Sequence, residues 1–196
     1  MSQNLTEKDY QKAANQLGVP VAAVKAVASV ESNGGGFLPD GRVKVQFEPH
    51  VFYQRVKLKF GQARADKELK AHPDLLALKP GSYQKLDQED KDMDRAATLI
   101  DRQCALESAS WGAFQIMGYH WKTCGYSTQQ DFINAQYSDA GQLDTFVRFV
   151  NADVRLVRAL QRRDWAGFAS VYNGPGYKAN KYDTKMASAY AQFGGA

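Results

Sequence analysis

The chain has 196 residues, of which 44% are hydrophobic and 23% charged, a composition typical of one globular domain and unlike a disordered, collagen-like or low-complexity chain. Its 25 Lys and Arg against 21 Asp and Glu give a net charge of +4, which favours an anionic partner without identifying it. No apolar run reaches the roughly 18 residues that a membrane span requires, because the best stretch, 19–30, is interrupted by Pro20, Lys25 and Ser29.

Two helices are predicted at the start of the chain. Thr6 is a typical helix cap with an acid three residues later, and apolar residues at helical spacing follow until Gly18. Pro20 suits the first position of a second helix, in which apolar residues recur three and four apart. Glu31 continues that apolar stripe, so we expect its carboxyl group to be partly buried at the end of the second helix.

A turn and a small hairpin are expected next. The glycine-rich segment 32–36 ends the helix, and Pro39-Asp40-Gly41 is a tight-turn signal. From 42 to 48 apolar and polar residues alternate with the period of a half-buried strand, and Glu48 falls on its polar face. Pro49 then opens a helix that runs to about Phe60, after which a polar stretch extends to 81.

The rest of the chain is predicted to be helical. The acidic run 87–94 resembles a calcium loop but lacks the glycine such a loop needs, so we interpret it as the start of a helix that continues through Cys104. Further helices are predicted over 128–137, 142–161, 164–172 and 180–193. The expected fold class is therefore mainly α, in the α+β sense, with one small hairpin.

Three segments carry candidate chemistry. Glu31 loses solvation on a packed helix face, which raises the pKa of a carboxyl group toward the range of a general acid, although such glutamates are more often paired or capping groups. Gln115 lies among small residues in 108–118 and can orient a sugar through its amide, unless the segment is only a helix cap. Tyr172 and Asn173 lie in a turn that by itself requires no function.

Taken in order, the strings VESNGGG, SWGAFQIM and VYNGPGY resemble the lysozyme superfamily, including goose-type lysozymes and soluble lytic transglycosylases. The longer string AVASVESNGGGFLPDGRVKVQFEPHVFYQR is similar to the catalytic domain of N-acetylmuramidase-type phage endolysins, and the resemblance covers nearly the whole chain. It implies a lysozyme-like multi-helix domain with a hairpin beside the active-site cleft. It also implies one catalytic domain over 1–196 without a separate cell-wall-binding domain.

The resemblance implies cleavage of the β-1,4 bond between N-acetylmuramic acid and N-acetylglucosamine in peptidoglycan. Glu31 matches the catalytic glutamate that protonates the leaving oxygen. For a second carboxylate, Glu48 is the first candidate and Asp40 the second, although Glu48 is also placed to cap a helix and Asp40 to form a turn. If neither acts, the enzyme resembles lytic transglycosylases, which use one glutamate and close a 1,6-anhydro ring.

Substrate-binding positions also follow from the resemblance. Gln115, Tyr172 and Asn173 match positions that line the saccharide groove, Ser32 follows the catalytic glutamate, and Trp111 is an aromatic available for stacking on a sugar ring. We expect no cofactor and no metal, because the three histidines are far apart without ligand spacing.

Partners and location are expectations of the same kind. We expect a monomer that acts on bacterial peptidoglycan. We also expect a weak electrostatic contact between the anionic envelope and the segment 148–185, which contains eight basic and three acidic residues. No nucleic-acid motif is present, so a nucleic-acid binder is disfavoured, as is a wall-binding module that has lost catalysis. The polar residues 1–9 lack the order of a secretory signal, which favours synthesis in the host cytoplasm and release through a pore. Cys104 and Cys124 allow a disulfide but do not require one.

Overall fold

A computed structural model describes residues 5–32, 35–81 and 86–195. The first half contains α1 (Glu7–Leu17), α2 (Val21–Glu31), β1 (Val45–Phe47), α3 (Pro49–Phe60), α4 (Gln62–Ala71) and α5 (Leu86–Ala96), which continues through a π-helical turn into α6 (Arg102–Glu107). The second half contains β2 (Ala109–Trp111), β3 (Ile116–Met117), α7 (Gln129–Ala135), α8 (Asp139–Asn151), α9 (Val154–Arg162), α10 (Trp165–Tyr172) and α11 (Tyr182–Gln192). Short 3-10 helices follow β3 and α10.

The mainly α fold class is confirmed, and so are the first helices. Thr6 caps α1 through a reciprocal pair in which its backbone N–H donates to the Asp9 carboxylate at 2.8 Å. Gly18 ends α1 in the left-handed conformation at φ 65°, which a glycine adopts without steric cost. Pro20 lies one residue before α2 rather than in its first position.

The β structure differs from the predicted hairpin. Around the Pro39-Asp40-Gly41 turn the described residues form one isolated antiparallel bridge, between Phe37 and Val43. The strand is limited to β1, and it pairs antiparallel with β2, which in turn pairs with β3. The reason is that Gly35 and Gly36 precede the turn, and glycine is a poor strand former. The partner strand therefore comes from a segment more than 60 residues away.

The segment 108–118 is a β-hairpin and not a helix cap. In the register of the sheet, Gln46 lies opposite Ser110, and Ser110 lies opposite Met117, so these three side chains share one face. The other face carries Val45 opposite Trp111, and both of these side chains are buried. The sheet thus has one core face and one partly polar face.

Two further helix predictions were wrong in detail. The polar stretch after Phe60 contains α4, whose pattern is weak because few of its side chains are buried. The single helix predicted over 142–161 is broken between α8 and α9, because Asp153 caps α9 by accepting a hydrogen bond from the Arg155 N–H at 2.9 Å.

The acidic run starts α5, as predicted, and three of its carboxylates bind protein groups. The Phe47 N–H donates to Glu89 at 3.0 Å, Asp90 forms an ion pair with Arg42, and Asp92 forms one with Arg95. Over the described ranges, no group of three or more His, Cys, Asp or Glu side chains is arranged to hold a metal ion.

One hydrophobic core joins these elements, and α2 lies within it. Helix α2 packs against α1 and α11, and α10 packs against α9 and α11. Both cysteines are buried and free, and burial raises the pKa of Cys104 to about 12 and that of Cys124 to about 11. In the part of the chain that the structure covers, no single helix passes as a membrane span; α1 and α2 pass only as a pair, and they are bent by 107°.

Candidate active site

Glu31 is the last residue of α2, and it is held there by an apolar helix. Val24, Val27 and Ala28 on the same stripe are buried in the core, which draws the end of the helix and the Glu31 side chain into the protein. The carboxyl group is partly buried, as the sequence predicts. Burial raises the pKa of Glu31 from 4.5 to about 7, because loss of water disfavours the charged form.

Asn173 contacts Glu31 from the other end of the chain. It follows α10 directly, and its Nδ2 donates to both carboxyl oxygens of Glu31, at 3.1 and 3.2 Å. This hydrogen bond stabilises the carboxylate and opposes the larger effect of burial on the pKa. The Oδ1 atom of Asn173 is buried and has no hydrogen-bond partner among the residues described. A buried acceptor of this kind is suited to a ligand donor.

Replacing Asn173 by Leu is expected to raise the pKa of Glu31 further, by roughly one, because a charge-assisted donor is lost without admitting water. The measurement is a carboxyl NMR titration of the two proteins. Asn180→Leu is the matched control at an exposed site and should leave the titration unchanged. An unchanged or lower pKa in Asn173→Leu would show that the amide does not stabilise the carboxylate.

Tyr172 joins α10 to the hairpin. Its hydroxyl donates to the Phe114 carbonyl at 3.1 Å, and its ring stacks on Phe168 with centroids 5.4 Å apart. The pKa of Tyr172 is raised, first by burial and then by the nearby charge of Glu31. The hydroxyl proton is therefore used within the protein, which leaves the ring and the accepting oxygen of Tyr172 for a ligand.

Gln115 closes the turn of the hairpin. Its Oε1 accepts from the Ser110 hydroxyl and its Nε2 donates to the Gly112 carbonyl, both at 2.8 Å. Gln115 itself has a φ of 48°, a left-handed conformation that is unusual for a residue other than glycine. The amide predicted to orient a sugar is thus engaged first in holding the hairpin, with one N–H and one lone pair left for a ligand.

A cavity of about 210 Å³ lies beside these groups. Gln115 and Tyr172 line it together with Met117, Tyr119, His120 and Phe149. Burial lowers the pKa of His120, so this imidazole is neutral at neutral pH. The sequence prediction did not include His120 or Phe149 as site residues, because neither residue belongs to a motif that local spacing would reveal.

Gln142 is another residue that the sequence analysis missed. It is buried in α8, where its Oε1 accepts from the Ala113 N–H at 2.8 Å and its Nε2 donates to the Gln136 carbonyl at 2.8 Å. A Cβ atom on Gly36 would lie 1.8 Å from Gln142 Oε1, so the loop after Glu31 approaches the hairpin only because glycine stands there. An amide on the apolar face of a helix, one residue before Leu143, was the available signal.

Glu48 lies beside the polar face of the sheet. It precedes α3 without capping it through its side chain, contrary to the alternative role considered for it. Its Oε1 accepts from Gln46 Nε2 at 3.2 Å, and its Oε2 is 3.4 Å from His50 Nδ1. Gln46 shares its face with Ser110, which binds Gln115, so Glu48 and Gln115 belong to one polar row.

Three predicted site residues are placed elsewhere or used differently. The prediction that Trp111 stacks on a sugar ring is wrong. Trp111 is 3% exposed on the core face, and its indole N–H donates to the Leu106 carbonyl, so its ring is not available to a sugar. Asp40 is exposed at the turn and ion-paired with Arg42, which holds the pKa of its carboxyl low. The Ser32 hydroxyl donates to the Ala28 carbonyl and thereby closes α2. Asn33 and Gly34 lie outside the described residues.

Comparisons with known proteins agree on one family. The sequence profile of the N-acetylmuramidases matches residues 20–194. The crystal structure of a Burkholderia AP3 phage endolysin is similar, with a TM-score of 0.91 and 42% sequence identity, over 97% of this chain and 72% of the endolysin chain. No match is found among curated proteins.

Proposed function

Because the chain belongs to the N-acetylmuramidase family, it is a lysozyme-type peptidoglycan hydrolase of phage lysis, and we propose that Glu31 is the general acid of its reaction. The reaction cleaves the β-1,4 bond between N-acetylmuramic acid and N-acetylglucosamine. The observation that carries the proposal is a partly buried carboxyl group whose pKa is raised to about 7. At neutral pH such a group holds a proton in a large fraction of molecules and can give it to the leaving oxygen.

Asn173 is proposed to position Glu31 and to contact the sugar. Its Nδ2 stabilises the carboxylate that remains after proton transfer, so it favours the product side of that step. Its Oδ1, which has no partner among the described residues, is proposed to accept a hydrogen bond from a hydroxyl or N–H of the saccharide. We assign the cavity lined by Gln115, Tyr172 and Tyr119 to the saccharide as well.

Glu48 is proposed as the second carboxylate, which either attacks the sugar or activates a water molecule on the opposite face. Its support is its place in the polar row of the sheet, where it accepts a hydrogen bond from Gln46. Asp40 is less suited, because it is exposed and bound to Arg42.

Analysis of the products tests the proposed reaction. Purified peptidoglycan digested by the enzyme should yield fragments with reducing N-acetylmuramic acid ends, which mass spectrometry distinguishes from 1,6-anhydro ends by the mass of one water. Anhydro ends as the main product would support the lytic transglycosylase alternative, which the family assignment does not favour.

The location of the reaction in the cell is proposed from the similarity to the phage endolysin. As an endolysin the protein acts on the cell wall after release. We propose further that it is made in the host cytoplasm, passes a membrane pore, acts as a monomer with one catalytic domain, and contacts the anionic envelope through the basic segment 148–185.

A further inference from the structure

A groove between α9 and α10 is lined by three of the basic residues of the last quarter of the chain. It has a volume of about 230 Å³. Its residues are Arg155, Arg158, Ala159, Arg162, Asp164, Gly167 and Val171. The spacing of the three arginines places them on one exposed side of α9, while Leu156 and Leu160 on the other side are buried.

The charges in the groove are not balanced by its acids. Arg155 is paired with Asp153, and Asp164 caps α10 by accepting from the Gly167 N–H at 2.8 Å. Among the residues described, the side chains of Arg158 and Arg162 make no hydrogen bond and no ion pair. Two guanidinium groups therefore remain available side by side on the rim of one groove.

A phosphate monoester is the ligand that matches this arrangement. It carries a charge of about −1.5 to −2 at neutral pH, which balances two arginines, and its oxygens accept the paired N–H groups of a guanidinium. Ala159 and Val171 add a small apolar wall suited to the carbon atoms of an ester. The volume of the groove, about 230 Å³, is enough for one phosphate headgroup.

We propose that the groove between α9 and α10 binds a phosphate monoester headgroup of an anionic envelope lipid, through Arg158 and Arg162. The proposal rests on the proposed action at the envelope, but it does not depend on the catalytic role of Glu31. Binding there concentrates the enzyme at the surface beside its substrate.

The test measures binding to lipid vesicles by co-sedimentation. Wild-type protein should bind vesicles of phosphatidylcholine mixed with phosphatidic acid and not vesicles of phosphatidylcholine alone. Arg158→Gln/Arg162→Gln should bind the acidic vesicles at least about tenfold more weakly, as expected when charge-assisted hydrogen bonds are lost. Lys67→Gln/Lys70→Gln is the matched control, because it removes the same charge from the exposed face of α4.

Two further measurements separate the possible outcomes. Inorganic phosphate should displace the protein from acidic vesicles more than sodium chloride of equal ionic strength. Equal weakening in both double variants, no binding by the wild type, or no preference for phosphate over chloride would each overturn the proposal. Hydrolysis of soluble peptidoglycan fragments should be unchanged in both variants, so a failure of the catalytic proposal is recognised separately.

Discussion

Replacing Glu31 by Gln is expected to lower the rate of peptidoglycan hydrolysis by about 10² to 10⁴-fold, the usual contribution of a general acid. Glutamine has nearly the same shape and keeps an oxygen that accepts from Asn173, so binding of the polymer should change little. The measurement is turnover of soluble peptidoglycan fragments by the purified variant. A normal rate in Glu31→Gln would remove Glu31 from the chemistry.

The same variant should be more stable than the wild type, and the difference should depend on pH. The folded-state pKa of Glu31 is about 7 and the unfolded value about 4.5, so the folded protein binds more protons between these values. The wild type therefore loses stability as pH rises through this window, whereas the glutamine variant does not. The difference in free energy of unfolding should grow from near zero at pH 4 to about 3 kcal/mol above pH 7.

Denaturant titrations of both proteins at pH 4, 6 and 8 measure that difference. Glu7→Gln, at an exposed carboxylate, serves as a control for general effects of removing a negative charge. A pH-independent difference between Glu31→Gln and the wild type would mean that burial does not raise the pKa of this carboxyl group. The activity and stability results are independent of each other.

Replacing Glu48 by Gln is expected to lower turnover by about 10²-fold or more if this carboxylate attacks the sugar or activates water. Glutamine retains an oxygen to accept from Gln46, so the strand and the start of α3 should remain intact, as melting temperature can verify. Asp40→Asn is the comparison at the other candidate, and we expect it to keep a nearly normal rate because Asp40 is exposed and bound to Arg42.

The pattern across the two variants decides the assignment. Loss in Asp40→Asn with retention in Glu48→Gln would exchange their roles. Retention in both would mean that a single carboxylate performs the reaction, and anhydro products should then accompany it.

The local position of Glu31 was predictable, but its chemical partner was not. Apolar residues three and four apart define the buried side of α2, and the helical spacing places Glu31 on that same side. Its contact with Asn173 joins residues 142 positions apart, and no local spacing encodes such a distance. Only the family resemblance brought the two residues into one site.

The pairing of the strands is a second feature that local sequence patterns do not predict. Alternation identified the strand around Val45, but alternation does not name its partner strand, which lies more than 60 residues away. The prediction for Trp111 was wrong for a related reason: the sequence alone does not tell which face of the sheet carries an aromatic side chain. The register opposite Val45 decides that it is buried.

The acid role proposed for Glu31 depends on burial, and segments near the end of the chain contribute to that burial. A nascent chain that has left the ribosome only through α8 lacks Asn173 and lacks α11, which packs against α2. Without that cover Glu31 stays hydrated and ionised at neutral pH, and it has no proton to donate. If Glu31 is the general acid, as proposed, the protein becomes active only after its last segment has folded against α2.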